Sequence, residues 1–386
     1  MTPSEPTLYL VSNAHLDTAW IWDIRTVIDH YLPATTRDNF ALFEEFPHYT
    51  FNFEGSFRYR LIKEYYPDDW RRLKQYVQQG RWAVCGSSVD AGDVNVPAAE
   101  SIIRHVLYGN GFFRRELGVE STDIFLPDCF GFGYALPSIA AHCGLKGFST
   151  QKLTWGVWTE VPFELGRWTG PDGASIVASL KSGDYTWKVG PGFDADPGLL
   201  RCTQENRSAC GVPVAFRYFG TGDRGGSPGA YSCANIEAAM AADGPCEVQV
   251  VKADRLFNEL TPQQVAAMPG YTGELLMTAH GTGCYTAQAA LKRLNRANER
   301  IAHAADSGLQ RRSRSWRTAQ CACPSKSSGG ARGRCLSNGS RWTARPGQSG
   351  LTCSPTWTGT RPMRCSRRHS LLPPTTHRPR MTWASV

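Results

Sequence analysis

The chain has 386 residues, 41% of them hydrophobic and 20% charged, which is enough to bury the core of one large domain or two ordinary ones. Its 42 Lys and Arg against 34 Asp and Glu leave +8 at pH 7, yet 14 Arg, one Lys and no acidic residue lie at 307–386, so residues 1–306 carry 27 basic against 34 acidic residues. A mildly acidic body argues against a nucleic-acid partner, and with no apolar run of about 18 residues a membrane span is not predicted.

Residues 7–17, TLYLVSNAHLD, form a short apolar run ending in small and polar residues, which predicts a buried parallel strand delivering a polar loop at its carboxyl end. In α/β folds ligand-bearing loops sit there. No basic leader or long apolar stretch precedes it, and the eight cysteines before residue 307 are scattered without C-x-x-C pairs, so a soluble cytoplasmic protein with reduced thiols is expected. Apolar residues at three- and four-residue spacing predict helices over 68–80 and 98–118, each closed by a glycine, Gly80 and Gly118. TDIFLPDCFG (122–131) is a strand meeting a loop, ALPSIAAHCG (135–144) a helix, LKGFSTQKL (145–153) a strand, and PVAFRYFGTGDRGGSPG (213–229) a strand opening into a Gly-rich loop. This alternation predicts a parallel α/β domain over 1–269.

Beyond Pro269 the pattern changes. A loop leads into a helix from about Thr286 to Ala305, with Ala290, Leu291, Leu294 and Ile301 on one face, so 270–306 is expected to begin a helical domain. Residues 307–386 contain no Ile, Phe or Tyr and only one Val, so they are expected to remain disordered. Their Arg, Ser, Pro and Thr richness without acids fits GC-rich coding DNA read in a shifted frame better than a basic arm evolved for nucleic acid.

The chemistry lies in three loops. His15 and Asp17 are two residues apart at a strand end, so both side chains can point to one side of an extended backbone, where imidazole and carboxylate can share a divalent cation. Asp128 follows an apolar strand and faces the same mouth, and Asp223 lies in the Gly-rich loop of PVAFRYFGTGDRGGSPG (213–229). Taken singly, a polar loop histidine and turn or helix-capping aspartates are the ordinary explanation. Together they place one imidazole and three carboxylates at one end of a sheet.

In this order the motifs resemble glycoside hydrolase family 38 α-mannosidases of the bacterial type. The matches are H-x-D with an aromatic at Trp20, Asp128 in a D-x-F-G turn with Phe130 and Gly131, the spacing from there to Lys152, and HGTGCYTAQAALKRLNR. The resemblance implies a seven-stranded parallel β/α barrel-like catalytic domain followed by the start of a helical bundle. It implies a zinc ion held by His15, Asp17, Asp128 and one further histidine, with Asp128 also the nucleophile and Asp223 the acid/base. Trp20, Phe130 and Lys152 are the implied substrate-binding residues, and the implied substrate is a terminal α-mannoside of a mannose-containing oligosaccharide or glycoside.

One departure stands out. The family's fourth ligand is a histidine followed directly by aspartate, and no His-Asp dipeptide occurs in this sequence; its place falls within 307–386. A truncated or frameshifted product with weak or no activity is therefore expected. The alternatives are a metal-dependent polysaccharide deacetylase-like enzyme, in which an aspartate acts as base on a metal-bound water, and an inert carbohydrate-binding remnant.

Overall fold

The computed structural model describes residues 2–155, 160–277 and 279–321. Two units divide at Ser313: Met1–Ser313 carries every described strand, and of Arg314–Val386 only helical backbone as far as Cys321 is described. The last helix is Ala289–Cys321 rather than the expected 286–305; residues 322–386, most of the segment expected to be disordered, lie outside the described residues.

Among the described residues, ten strands form two sheets. The first holds β1 (Thr7–Ala14), β2 (Phe51–Glu54), β3 (Trp82–Cys85), β8 (Val214–Thr221) and β9 (Glu247–Val250), all paired in parallel. β8 runs along the whole of β1, from Thr7↔Val214 to Ala14↔Thr221. The other edge of β1 is shared: β9 takes Thr7–Leu10 and β2 meets it at Asn13. The second sheet has the order β10 (Gly270–Thr272), β6 (Leu165–Thr169), β7 (Ser175–Ser179), β5 (Gly147–Ser149), β4 (Asp123–Phe125). Here β6 and β7 are antiparallel.

All eight residues of β1 are buried, and their alternation divides the core. Leu8 and Leu10 face one apolar cluster with Phe40, Phe43 and Trp82, while Tyr9 and Val11 face another with Phe125, Val177, Phe216 and Tyr218. Successive side chains on opposite faces, both covered, are what a central parallel strand requires. A third cluster packs Ile124, Phe148, Trp168 and Ile176 of the second sheet against Leu136 and Ala140 of the helix Leu136–His142.

The α/β class with parallel pairing agrees with the sequence. The seven-stranded barrel-like count does not describe the hydrogen bonding, which gives two five-stranded sheets and no closed ring among the described residues. The physical reason for the antiparallel pair is the turn Gly170-Pro171-Asp172-Gly173, in which Gly170 N–H donates to Ala174 O at 2.9 Å and Gly173 takes φ +85. Helices Pro67–Gln78 and Ala99–Leu117 fall where expected, and Gly118 closes the second in the left-handed conformation at φ +72. The periodicity gave no warning of the π-wound segment Val27–Tyr31 that leads into the helix Leu32–Glu45.

On the last helix, Glu299 accepts from Ala98 N–H at 2.8 Å and Ser101 Oγ at 2.7 Å, while Leu291, Leu294 and Ile301 are each more than half exposed. The eight cysteines before residue 307 are all unpaired. No described helix is long and apolar enough to cross a membrane.

Candidate functional site

The carboxyl ends of β1 and β8 are stitched together beyond their last ladder pair. His15 N–H donates to Thr221 O at 3.0 Å, Gly225 N–H to His15 O at 2.9 Å, and Asp17 N–H to Asp223 O at 2.8 Å. The loop bearing the H-x-D motif and the loop bearing Asp223 thus hold each other in place. Asp223 sits at φ +66, a left-handed conformation that aspartate tolerates better than most residues. Asp128 follows β4, and its turn is closed by Gly131 at φ +106, where an added Cβ would lie 3.3 Å from the Leu276 backbone.

These loops bring three of the sequence-identified residues together. Donor atoms of His15, Asp17 and Asp128 all lie within 4.8 Å of one another. His15 is buried, with Nε2 3.5 Å from Asp17 Oδ1 and Nδ1 2.9 Å from Glu54 Oε1. Burial by itself would lower the His15 pKa, but the hydrogen bonds to Asp17 and Glu54, with their charges, outweigh it and raise it to about 10. Burial acts upward on Glu54, and there the His15 hydrogen bond and the Arg58 charge prevail and bring it below its ordinary value. One imidazole and two carboxylates suit a divalent cation, and the engagement of Nδ1 by Glu54 leaves Nε2 as the ligating nitrogen. The residues present therefore fit a metal ion, with three of the four ligands that the family resemblance implies.

Asp223 joins through a residue that the motifs did not mark. The Tyr185 hydroxyl lies 3.2 Å from Asp128 Oδ1 and 3.0 Å from Asp223 Oδ1, so its one proton serves two carboxylates. Burial and then the two carboxylate charges push its pKa far upward, which keeps it a donor. Lys152 is buried, and its ammonium pairs with Asp128 Oδ1 while lying 4.0 Å from the Trp155 ring centre and 4.9 Å from that of Phe130. Its charge is thus directed at Asp128 rather than into open solvent. Phe130 is half-buried, 5.6 Å from the exposed His280 ring. Trp20 is 61% exposed and packs edge-on to Trp22 at 5.5 Å. Arg224, next to Asp223, turns its guanidinium over Trp22 at 5.5 Å.

Sequence reasoning missed Tyr185, Glu54 and Trp155. Glu54 offered a signal, an acid closing the apolar run FNFE at a strand end; Tyr185, in the polar stretch KSGDYTWKVG, offered none.

Residues 5–274 match the family described as Glycosyl hydrolases family 38 N-terminal domain. Alpha-mannosidase 2C1 of Homo sapiens is 28% identical over 300 residues, covering 78% of this chain and 28% of that protein. Alpha-mannosidase G of Dictyostelium discoideum is 28% identical over 304 residues, covering 78% and 27%. Among solved structures, an alpha-mannosidase from Enterococcus faecalis V583 superposes with a TM-score of 0.55 at 17% identity, over 70% of this chain and 31% of that one, a likeness of fold. The chain spans less than a third of the length of these curated relatives.

Proposed function

We propose that this chain, which belongs to glycosyl hydrolase family 38, carries the catalytic residues of a cytoplasmic, metal-assisted, retaining α-mannosidase acting on terminal α-mannosides of oligosaccharides or glycosides. The observation that carries the reading is the Tyr185 hydroxyl touching both Asp128 and Asp223 beside the His15, Asp17 and Asp128 cluster. The two Oδ1 atoms can be no farther apart than those two contacts end to end. That is less than the ~6.5 Å at which a water begins to fit between paired carboxyls, and it supports retention.

His15, Asp17 and Asp128 would hold the cation, zinc in this reading. When bound, it supplies Lewis-acid polarisation of the sugar hydroxyls. Asp128 attacks the anomeric carbon as the bond to the leaving oxygen breaks, giving a glycosyl ester on its carboxylate. Asp223 gives its proton to the leaving oxygen and later takes one from the water that hydrolyses the ester, so configuration inverts twice and is retained. Lys152 and Tyr185 hold Asp128 Oδ1, which orients the carboxylate for attack. Phe130 and Trp20 offer apolar faces to the C–H side of a pyranose.

The test is hydrolysis of an aryl α-mannoside by the zinc-loaded chain, with the product followed by proton NMR. Slow release with α-mannose appearing first is expected, slow because the fourth ligand is missing from the sequence. A chain that binds metal and mannoside and releases nothing supports the carbohydrate-binding remnant instead.

A further inference from the structure

Glu54 and Arg58 are both fully buried, and the mechanism above uses neither. Removing two charges from water costs several kcal/mol per ion unless their partners offset it. The partners here converge on one short segment of backbone. Glu54 Oε1 meets His15 Nδ1 at 2.9 Å, and its Oε2 has no partner among the described residues. Arg58 Nη1 donates to Glu54 O at 3.1 Å, and both Nε, at 2.9 Å, and Nη2 donate to Leu16 O, the carbonyl between His15 and Asp17. Arg58 Nη2 also meets Asp90 Oδ1 at 2.9 Å, and Asp90 Oδ2 accepts from Thr18 Oγ1 at 2.6 Å. Gly55 makes the space: a Cβ there would stand 2.2 Å from Arg58 Nη1.

We propose that Glu54, Arg58 and Asp90 are positioning residues that hold His15 and Asp17 in metal-binding geometry, Glu54 by accepting the Nδ1 proton, Arg58 by gripping the Leu16 carbonyl between them, and Asp90 by tying Arg58 to the Thr18 hydroxyl. The inference rests on the metal reading above. With its Nδ1 proton held by Glu54, the imidazole cannot rotate away and presents Nε2 toward Asp17 and Asp128. An outer carboxylate on a ligating histidine raises ligand basicity and fixes ring orientation, and its loss typically lowers metal affinity by about 10–100-fold.

The experiment is titration of the full chain with Zn²⁺ by calorimetry and with Co²⁺ by visible absorption, using wild type, Glu54→Gln, Asp90→Asn and, as reference, Asp17→Asn. Asp17→Asn should lose most uptake. Glu54→Gln should bind about 10–100-fold more weakly with an altered Co²⁺ spectrum, while the melting temperature of its metal-free form stays near wild type. Asp90→Asn should show a smaller loss in the same direction, and it carries the test if Glu54→Gln does not fold. Wild-type affinity and spectrum in both Glu54→Gln and Asp90→Asn would overturn the positioning role and leave the metal site standing. A wild type that takes up neither ion, or binds no better than Asp17→Asn, would overturn both.

Discussion

Asp123 opens β4, the strand that leads to Asp128, and its carboxyl is wholly buried. Oδ1 accepts from Gly86 N–H at 3.1 Å and from the Ser121 hydroxyl, while Oδ2 has no partner among the described residues. Burial, with the charge of Asp254 added, pushes its pKa from 3.8 to about 7. Between those values the folded chain holds a proton that the unfolded chain has released, so stability falls as pH rises from about 4 to about 7. At 1.36 kcal/mol per pKa unit, the loss by pH 8 is at most about 4 kcal/mol. Asp123→Asn keeps the acceptor at Oδ1 and cannot ionise, so this loss is absent from the variant. The variant should therefore gain on wild type by up to about 4 kcal/mol between pH 4 and pH 8. Urea unfolding followed by tryptophan fluorescence across that range, with the denaturant slope checked for constancy, measures the difference. Parallel profiles for the two proteins would refute the assignment of a proton to folded Asp123 near neutral pH.

Asp128→Asn should abolish both metal uptake and mannoside turnover, whereas Asp223→Asn should spare the metal and lose turnover; calorimetry with zinc beside the aryl mannoside assay separates the two roles. Tyr185→Phe removes the hydroxyl between those carboxylates. At about 1.5–3 kcal/mol for a hydrogen bond to a charged group, kcat should fall by roughly 10–100-fold with metal affinity kept, and equal loss of metal would make the residue a structural support instead. Gly109→Ala would usually favour a helix by about 1 kcal/mol. Here the new Cβ would lie 2.4 Å from the Ser88 carbonyl carbon and 2.5 Å from Ser87 O, so a loss of about 1–3 kcal/mol in urea unfolding is expected instead.

The strands and loops bearing the candidate site could be read from local sequence alone. The runs TLYLV, DIFL and PVAFRYF are short, apolar and rich in β-branched or aromatic residues, which favours buried strands, and each leads into the polar residues that a sheet places at its rim. The order of the motifs, through the family resemblance it carries, was what put forward His15, Asp17, Asp128 and Asp223 as candidates. Local patterning could not say how the strands divide. β1 is covered on both faces, so nothing in its composition distinguishes the side facing Phe40 from the side facing Tyr218, and only packing assigns them. The antiparallel step inside the second sheet hangs on one short turn, Gly170–Gly173, whose chemistry is visible in the sequence but whose place between β5 and β10 is not. The supporting residues were hidden for a related reason. Glu54 lies 39 residues from the histidine it holds, and Tyr185 lies 57 residues from Asp128 and 38 from Asp223. A carboxylate or phenol at that distance along the chain has no periodicity or spacing to mark it, and it becomes part of the site only when the parallel crossovers bring separate strand ends to one mouth.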